Sequence, residues 1–261
     1  MSKILILGAT GSLGRHVVQQ AVSTNHNVSI GVRTPSKLPA DIQKKVVVYE
    51  ADLAEMSASA LATIFRTHDA VINTAGYVTQ GQIFVDLTDR IVTSLESIPE
   101  RERPVCWFLA GAALRDMDES GRRGVDLPVL SSTYWPHRVN FDRIRQTTLD
   151  WRILCPGPMV AQSPLGLDRM RISLDRLPVA VPAFARLRPE GSALSFFGYL
   201  IQEMIVPYAD AAALMLANIT PHDEMSHHRV GLAIPVDMRD EEKPRAAQPN
   251  SAASQWKGDR F

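Results

Sequence analysis

Three glycines near the N-terminus, Gly8, Gly11 and Gly14, are evenly spaced in the run Gly8-Ala9-Thr10-Gly11-Ser12-Leu13-Gly14. Residues without a Cβ let a chain turn sharply and let a ligand come close to the backbone. Before the run lies an apolar stretch, Ile4 to Leu7, and after it a helix-compatible segment, Arg15 to Val22. A buried strand that turns on glycines into a helix aims free backbone N–H groups and the positive end of the helix dipole at one point. The chemistry this serves is the holding of a pyrophosphate, and the strand–turn–helix context is what gives the pattern its weight. Thr10, Ser12 and Leu13 complete the turn and belong to the same expected site.

A second group of residues extends that chemistry. The stretch Val28-Ser29-Ile30-Gly31-Val32 ends in Arg33, nineteen positions after Gly14. The ribose-binding residue of a dinucleotide fold stands at an interval of ~20. An acid at that place takes the 2′-hydroxyl of NAD, whereas an arginine accommodates the 2′-phosphate of NADP. The guanidinium fork matches phosphate geometry, and Lys37 adds a second charge. The residues therefore favour NADP(H) over NAD(H), against the competing reading of a solvated basic turn. Asp52 is placed to accept a hydrogen bond from an adenine amino group, with Leu53 packing on the ring. In Asn73-Thr74-Ala75-Gly76, the residues Asn73, Ala75 and Gly76 would let backbone approach a flat cofactor. Each of these last two stretches reads equally well as an ordinary short polar turn.

The elements that must position these residues follow a regular rhythm. Strand candidates are Lys3–Leu7, Val28–Val32, Val46–Tyr49, Ala70–Asn73, Val105–Ala110 and Trp151–Cys155. Each is brief and apolar without clean alternation, as expected of parallel strands covered on both faces. Helix-compatible segments lie between most of them, which predicts a doubly wound α/β parallel sheet with ligands at the carboxyl ends of its strands. Pro156, Gly157 and Pro158 break the rhythm. Residues 1–157 form the expected nucleotide-binding core, and residues 158–239 a small C-terminal substrate-pocket region of the same domain. Within it, Ser163 to Leu200 is unpatterned and rich in Phe184, Phe196, Phe197 and Tyr199; a helix over Tyr208–Asn218 and a strand over Val230–Pro235 follow. The tail from 240 to 261 reads as disordered.

Composition narrows the functional classes. The 28 basic and 28 acidic residues cancel, so the chain as a whole makes no electrostatic case for nucleic acid or a membrane surface. No apolar run reaches the ~18 residues of a membrane helix, and Cys106 and Cys155 lie in apolar runs that suit reduced, buried thiols. A cytoplasmic setting is expected. No metal site is expected: His222, His227 and His228 share a polar connection that reads as solvent-exposed, and Arg115 to Glu119 reads as a mobile, charged loop. Gly-x-Ser-x-Gly and the P-loop lysine are both absent from the sequence, so hydrolase and nucleotide-kinase chemistry lack support.

Gly8 to Gly14, Arg33 to Lys37, Asp52-Leu53 and Asn73 to Gly76 together resemble the short-chain dehydrogenase/reductase superfamily, over about residues 1–235. The glycine spacing, the segment Asp150 to Pro158 and the segment Tyr208-Ala209-Asp210-Ala211-Ala212 are similar to its atypical NAD(P)H-binding branch, which includes biliverdin-IXβ/flavin reductase-like and NmrA-like proteins. The resemblance implies a Rossmann fold, a nicotinamide cofactor, a small-molecule substrate and, as an option, a homodimer. It also implies a serine beyond the fifth strand and a Tyr-x-x-x-Lys, and here the chain departs. Leu109-Ala110-Gly111-Ala112-Ala113 carries no hydroxyl, and the nearest match to the second motif is Tyr134-Trp135-Pro136-His137-Arg138. Pro136 at the first helical position would leave Tyr134 outside the helix, so that Tyr134 and Arg138 need not share a face. Ser131, Ser132 and Thr133 read equally as loop or helix entry. His137, in the first helical turn, would be favoured in its neutral form, and it resembles the histidine that relatives carry near the nicotinamide. Tyr134, His137 and Arg138 are the catalytic candidates. The expected function is an NADPH-dependent oxidoreductase acting on a carbonyl, enone, quinone or flavin. The alternatives are a non-catalytic NADP(H)-binding regulator of the NmrA-like kind and a non-redox isomerase or cyclase on the same fold.

Overall fold

The computed structural model describes residues 1–179 and 200–239. Strands and helices alternate from the start: β1 (Lys3–Leu7), α1 (Ser12–Ser23), β2 (Asn27–Val32), α2 (Ala40–Gln43), β3 (Val47–Glu50), α3 (Ala58–Phe65), β4 (Ala70–Asn73) and α4 (Gln82–Glu96). The alternation continues through β5 (Val105–Leu109), α5 (Pro128–Ile144) and β6 (Trp151–Leu154). Then come β7 (Met159–Val160), β8 (Arg171–Leu174), β9 (Val206–Pro207), α6 (Tyr208–Ala217) and β10 (His228–Ala233).

Among the described residues, one eight-stranded sheet has the order β3-β2-β1-β4-β5-β6-β10-β8. Its pairs are parallel except β10–β8, and β7 pairs β9 in a separate two-stranded ribbon. Side chains alternate across each strand, so a doubly covered sheet needs apolar residues on both faces. Ile4 and Ile6 of β1 face a core shared with Val17 and Val18 of α1 and Ala211 and Met215 of α6. Leu5 and Leu7 face the opposite core, with Leu61 of α3, Ile91 and Leu95 of α4 and Ile144 of α5. The chain order reverses between β1 and β4, which puts the crevice for a ligand at their carboxyl ends.

The edges depart from the sequence expectation. Burial on both faces fails for β3, where Val47 and Glu50 are exposed, and β8 is half-exposed at the other edge. The strand β8 was not foreseen, because Arg171-Ile172-Ser173-Leu174 carries too few apolar residues to stand out. Phe184, Phe196, Phe197, Tyr199 and the tail from 240 onward lie outside the described residues.

Candidate functional site

The glycine turn joins β1 to α1 at the crevice. Gly8 has a φ of +77°, a conformation L side chains rarely adopt, and a Cβ on it would lie 2.6 Å from the Ala75 nitrogen. A Cβ on Gly14 would lie 2.1 Å from the Gly8 carbonyl oxygen. The protein's own packing therefore demands both glycines. Gly11 differs: its N–H donates to the Gly8 carbonyl at 2.9 Å, and a Cβ on it would meet only that oxygen, at 3.2 Å. Gly11 is also the N-cap of α1, whose first turn has neither a side-chain cap nor an acidic residue. The leading N–H groups and the dipole thus face the crevice with no acidic side chain in that turn. Thr10 is half-buried beside them, Ser12 is exposed and Leu13 is buried.

The turn after β4 is stitched to this one. Thr74 Oγ1 donates to the Leu7 carbonyl at 2.8 Å, and Asn73 Oδ1 accepts from the Ala75 N–H at 3.0 Å. Gly76 has a φ of +93° and lies against the ring of Phe84, the buried aromatic of α4. Phe84 meets His137 edge-on at 5.8 Å between ring centres, and Tyr134 stacks on His137 at 6.1 Å. The Nε2–Cδ2 edge of His137 faces Gly111, just beyond β5. Burial pushes the His137 imidazole down to about 4, so it is neutral at physiological pH.

At the other end of the crevice, Arg33 is exposed directly after β2, and Lys37 closes a short turn over Pro35–Lys37. Asp52 is exposed and caps the Ala54 N–H at 3.0 Å. Leu53 packs inward with Leu61 and Val71, leaving only its margin open. The fold therefore brings the sequence candidates to one edge of the sheet, in the order Arg33, glycine turn, Asn73–Gly76, Gly111 and His137.

Three expectations need correcting. Tyr134 is inside α5, not before it: the helix begins at Pro128 after Leu127, and Pro136 lies in its interior. Two prolines competed for the first helical position, and Pro128 takes it. Burial of Pro136, His137, Asn140 and Ile144 along one stripe holds the helix together past the second. Ser131 to Thr133 are consequently helical, and Tyr134 and Arg138, one turn apart, do share a face. Arg138 is exposed near Asp126. Burial pushes that carboxyl up, but the hydrogen bonds of Arg123 and the charges of Arg123 and Arg138 leave it below its ordinary value.

The segment from Arg115 is also not a free charged loop. Arg115 is fully buried, with Nη2 donating to Ser173 and to the Arg176 carbonyl, and Asp116 pairs with Arg229 at 2.9 Å. Its partners come from β8 and β10, too distant in sequence to be read. Of the histidines, His222 is exposed as expected. His227 is exposed too, one ring face stacked on Trp151, whereas His228 is half-buried and pairs with Asp175 at 2.5 Å. Among the described residues, no group of three His, Cys, Asp or Glu side chains could hold a metal ion, and no helix is long and apolar enough to cross a membrane.

Sequence reasoning missed the residues behind His137. Asn140 and Thr88 are buried and joined by a 3.0 Å hydrogen bond. A polar residue three positions after His137, on the buried stripe of the helix, is the signal that could have found Asn140. Asp210 was read only as part of a helix start. It is buried and accepts from the Leu165 and Gly166 N–H groups at 2.8 and 3.0 Å, tying the segment after β7 to α6.

Comparison with known proteins agrees with this geometry. The sequence profile of the NAD(P)H-binding family matches residues 8–171, from the first glycine of the turn to β8. The chain belongs to this NAD(P)H-binding family. It is 27% identical over 162 residues to the uncharacterized protein YwnB of Bacillus subtilis (strain 168), an alignment spanning 59% of this chain and 71% of YwnB. Among solved structures, the oxidoreductase ylbE of Lactococcus lactis superposes with a TM-score of 0.63 at 16% identity, covering 89% of this chain and 90% of that one. A Streptococcus pneumoniae TIGR4 protein named as a proposed NADH-flavin reductase gives 0.62 at 17% identity, covering 90% and 100%. Likeness at such identities speaks to the fold. This member of the NAD(P)H-binding family has a Rossmann-like sheet.

Proposed function

We propose that the protein is an NADPH-dependent oxidoreductase that reduces a small or mid-sized organic acceptor: a carbonyl, enone, quinone or flavin. The observation that carries the reading is Gly11. Packing requires Gly8 and Gly14 but not Gly11, which stands at the uncapped, acid-free N-terminus of α1, where a pyrophosphate would need its missing side chain.

The residues present fit a dinucleotide. The N–H groups of Ser12 and Leu13 would hold its pyrophosphate, and Arg33 with Lys37 the 2′-phosphate that distinguishes NADPH from NADH. Asp52 and Leu53 would meet the adenine end, while Asn73, Ala75 and Gly76 would lie along the nicotinamide end. The cofactor, when bound, supplies the hydride. His137, neutral and pressed between Phe84 and Tyr134, directs its Nε2 edge past Gly111 as a hydrogen-bonding group for the acceptor. Tyr134 supplies a phenol on the same helix, with the exposed Arg138 one turn on. The Phe84 and Tyr134 rings exclude water from that end.

A second reading, an NADP(H)-binding regulator, draws on the segment after β5, where Ala110-Gly111-Ala112-Ala113 presents no hydroxyl. Incubation of the protein and NADPH with flavins, quinones and enones separates the two. Consumption by at least one acceptor class, reduced in Tyr134→Phe or His137→Ala, is the expected outcome. Tight binding without consumption across the panel would select the regulator.

A further inference from the structure

The imidazole of His137 is enclosed by Phe84, Tyr134 and Gly111, and its remaining edge carries Nδ1. That nitrogen is buried and has no hydrogen-bond partner among the described residues. Leaving such a group unsatisfied costs about 1–3 kcal/mol, so an unpaired buried nitrogen calls for an explanation. His137 borders a cavity between the sheet and the α4–α5 pair, whose other polar lining is Asn73, Thr88 and Asn140. The space admits about one water molecule.

Counting donors and acceptors fixes what such a water would do. Asn73 Oδ1 already accepts the Ala75 N–H, so the spare group of Asn73 is its NH2 donor. Thr88 Oγ1 gives its proton to the Phe84 carbonyl and must therefore accept from Asn140, which sets the Asn140 NH2 toward Thr88 and leaves Oδ1 as the spare acceptor. A water that accepts from Asn73 and donates to Asn140 has one proton left, and His137 Nδ1 is the lining side-chain nitrogen able to accept it.

We propose that Asn140, oriented by Thr88, is a positioning residue that fixes His137 as its Nε2–H tautomer through one water held in this cavity. A neutral imidazole then donates from the edge beside Gly111, where the reading above places the acceptor. The functional meaning rests on that reading, while the tautomer itself does not.

The test is a long-range ¹⁵N–¹H correlation spectrum of the full-length protein with ¹⁵N-labelled histidine, the His137 signals being those lost in His137→Gln. The expected result is Nε2–H in the wild type, and a roughly equal mixture of tautomers in Asn140→Leu, which removes the acceptor. Thr88→Val, which frees the Asn140 amide to turn over, should show the same mixture and serves if Asn140→Leu does not fold. Nδ1–H in the wild type, or pure Nε2–H in either folded variant, would overturn the proposal. Failure to bind NADPH with the tautomer pattern intact would overturn the functional reading alone.

Discussion

An imidazole kept neutral by burial leaves a pH signature. The folded-state pKa of His137 is about 4, against 6.5 for an unhindered histidine. Above pH 6.5 neither the folded nor the unfolded chain protonates it, and its contribution to stability is complete. As pH falls from 6.5 toward 4, the unfolded chain takes up a proton that the folded chain refuses, and stability is lost. At one unit per ~1.4 kcal/mol, the loss approaches about 3 kcal/mol. Urea unfolding at neutral pH and near pH 4.5 should therefore show a smaller pH-dependent loss in His137→Gln than in the wild type. Equal losses would place the imidazole in contact with bulk solvent. At the other end of the crevice, Arg33→Ala should weaken NADPH binding by about 10- to 100-fold, the worth of charge-assisted hydrogen bonds to phosphate. NADH binding should change little, and a titration showing equal losses would remove the 2′-phosphate assignment.

Among the elements, the turn between β1 and α1 makes two neighbouring glycines behave oppositely. Gly14→Ala would drive a Cβ into the Gly8 carbonyl and should destabilise the fold at or beyond the upper end of the ~1–3 kcal/mol typical of overpacking. Gly11→Ala should cost about 1 kcal/mol, the difference between a good and a poor N-cap, yet abolish nucleotide binding. Paired unfolding and binding measurements on the two variants check this contrast. Removing the Asp210 carboxylate strands two half-buried N–H groups, so Asp210→Ala should cost about 1–2 kcal/mol and expose the segment around Leu165 to proteolysis. The inner strands were legible because two covered faces force unbroken apolar runs such as Ile4 to Leu7. The edge strand β8, with one face partly wet, left no such trace. The start of α5 was misread because a proline is a start signal wherever it stands, and only the buried stripe through His137 and Asn140 shows that the helix runs through Pro136.

For the molecule as a whole, sheet order does the assembling. Arg33, Gly11, Asn73 and His137 lie far apart in sequence, and the order β2-β1-β4-β5 sets the ends of their strands side by side. The proposed nucleotide half was suggested by the sequence because strand-end positions carry fixed duties in a doubly wound sheet. The acceptor half was less so. His137 owes its neutrality to packing by Phe84 and Tyr134, and its water-sized neighbour cavity to Thr88 and Asn140, contacts between helices that no spacing rule reports. The buried Arg115, clasped by β8 and covered from solvent, likewise looks like a surface charge until the chain is folded. The central claim is that this edge binds NADPH in preference to NADH. Fluorescence titration of the purified protein with each nucleotide tests it most directly. Saturable binding of both, tighter for NADPH by the 10- to 100-fold that Arg33 supplies, is the predicted result. No binding of either would contradict it, and tighter binding of NADH would reverse the assignment of Arg33.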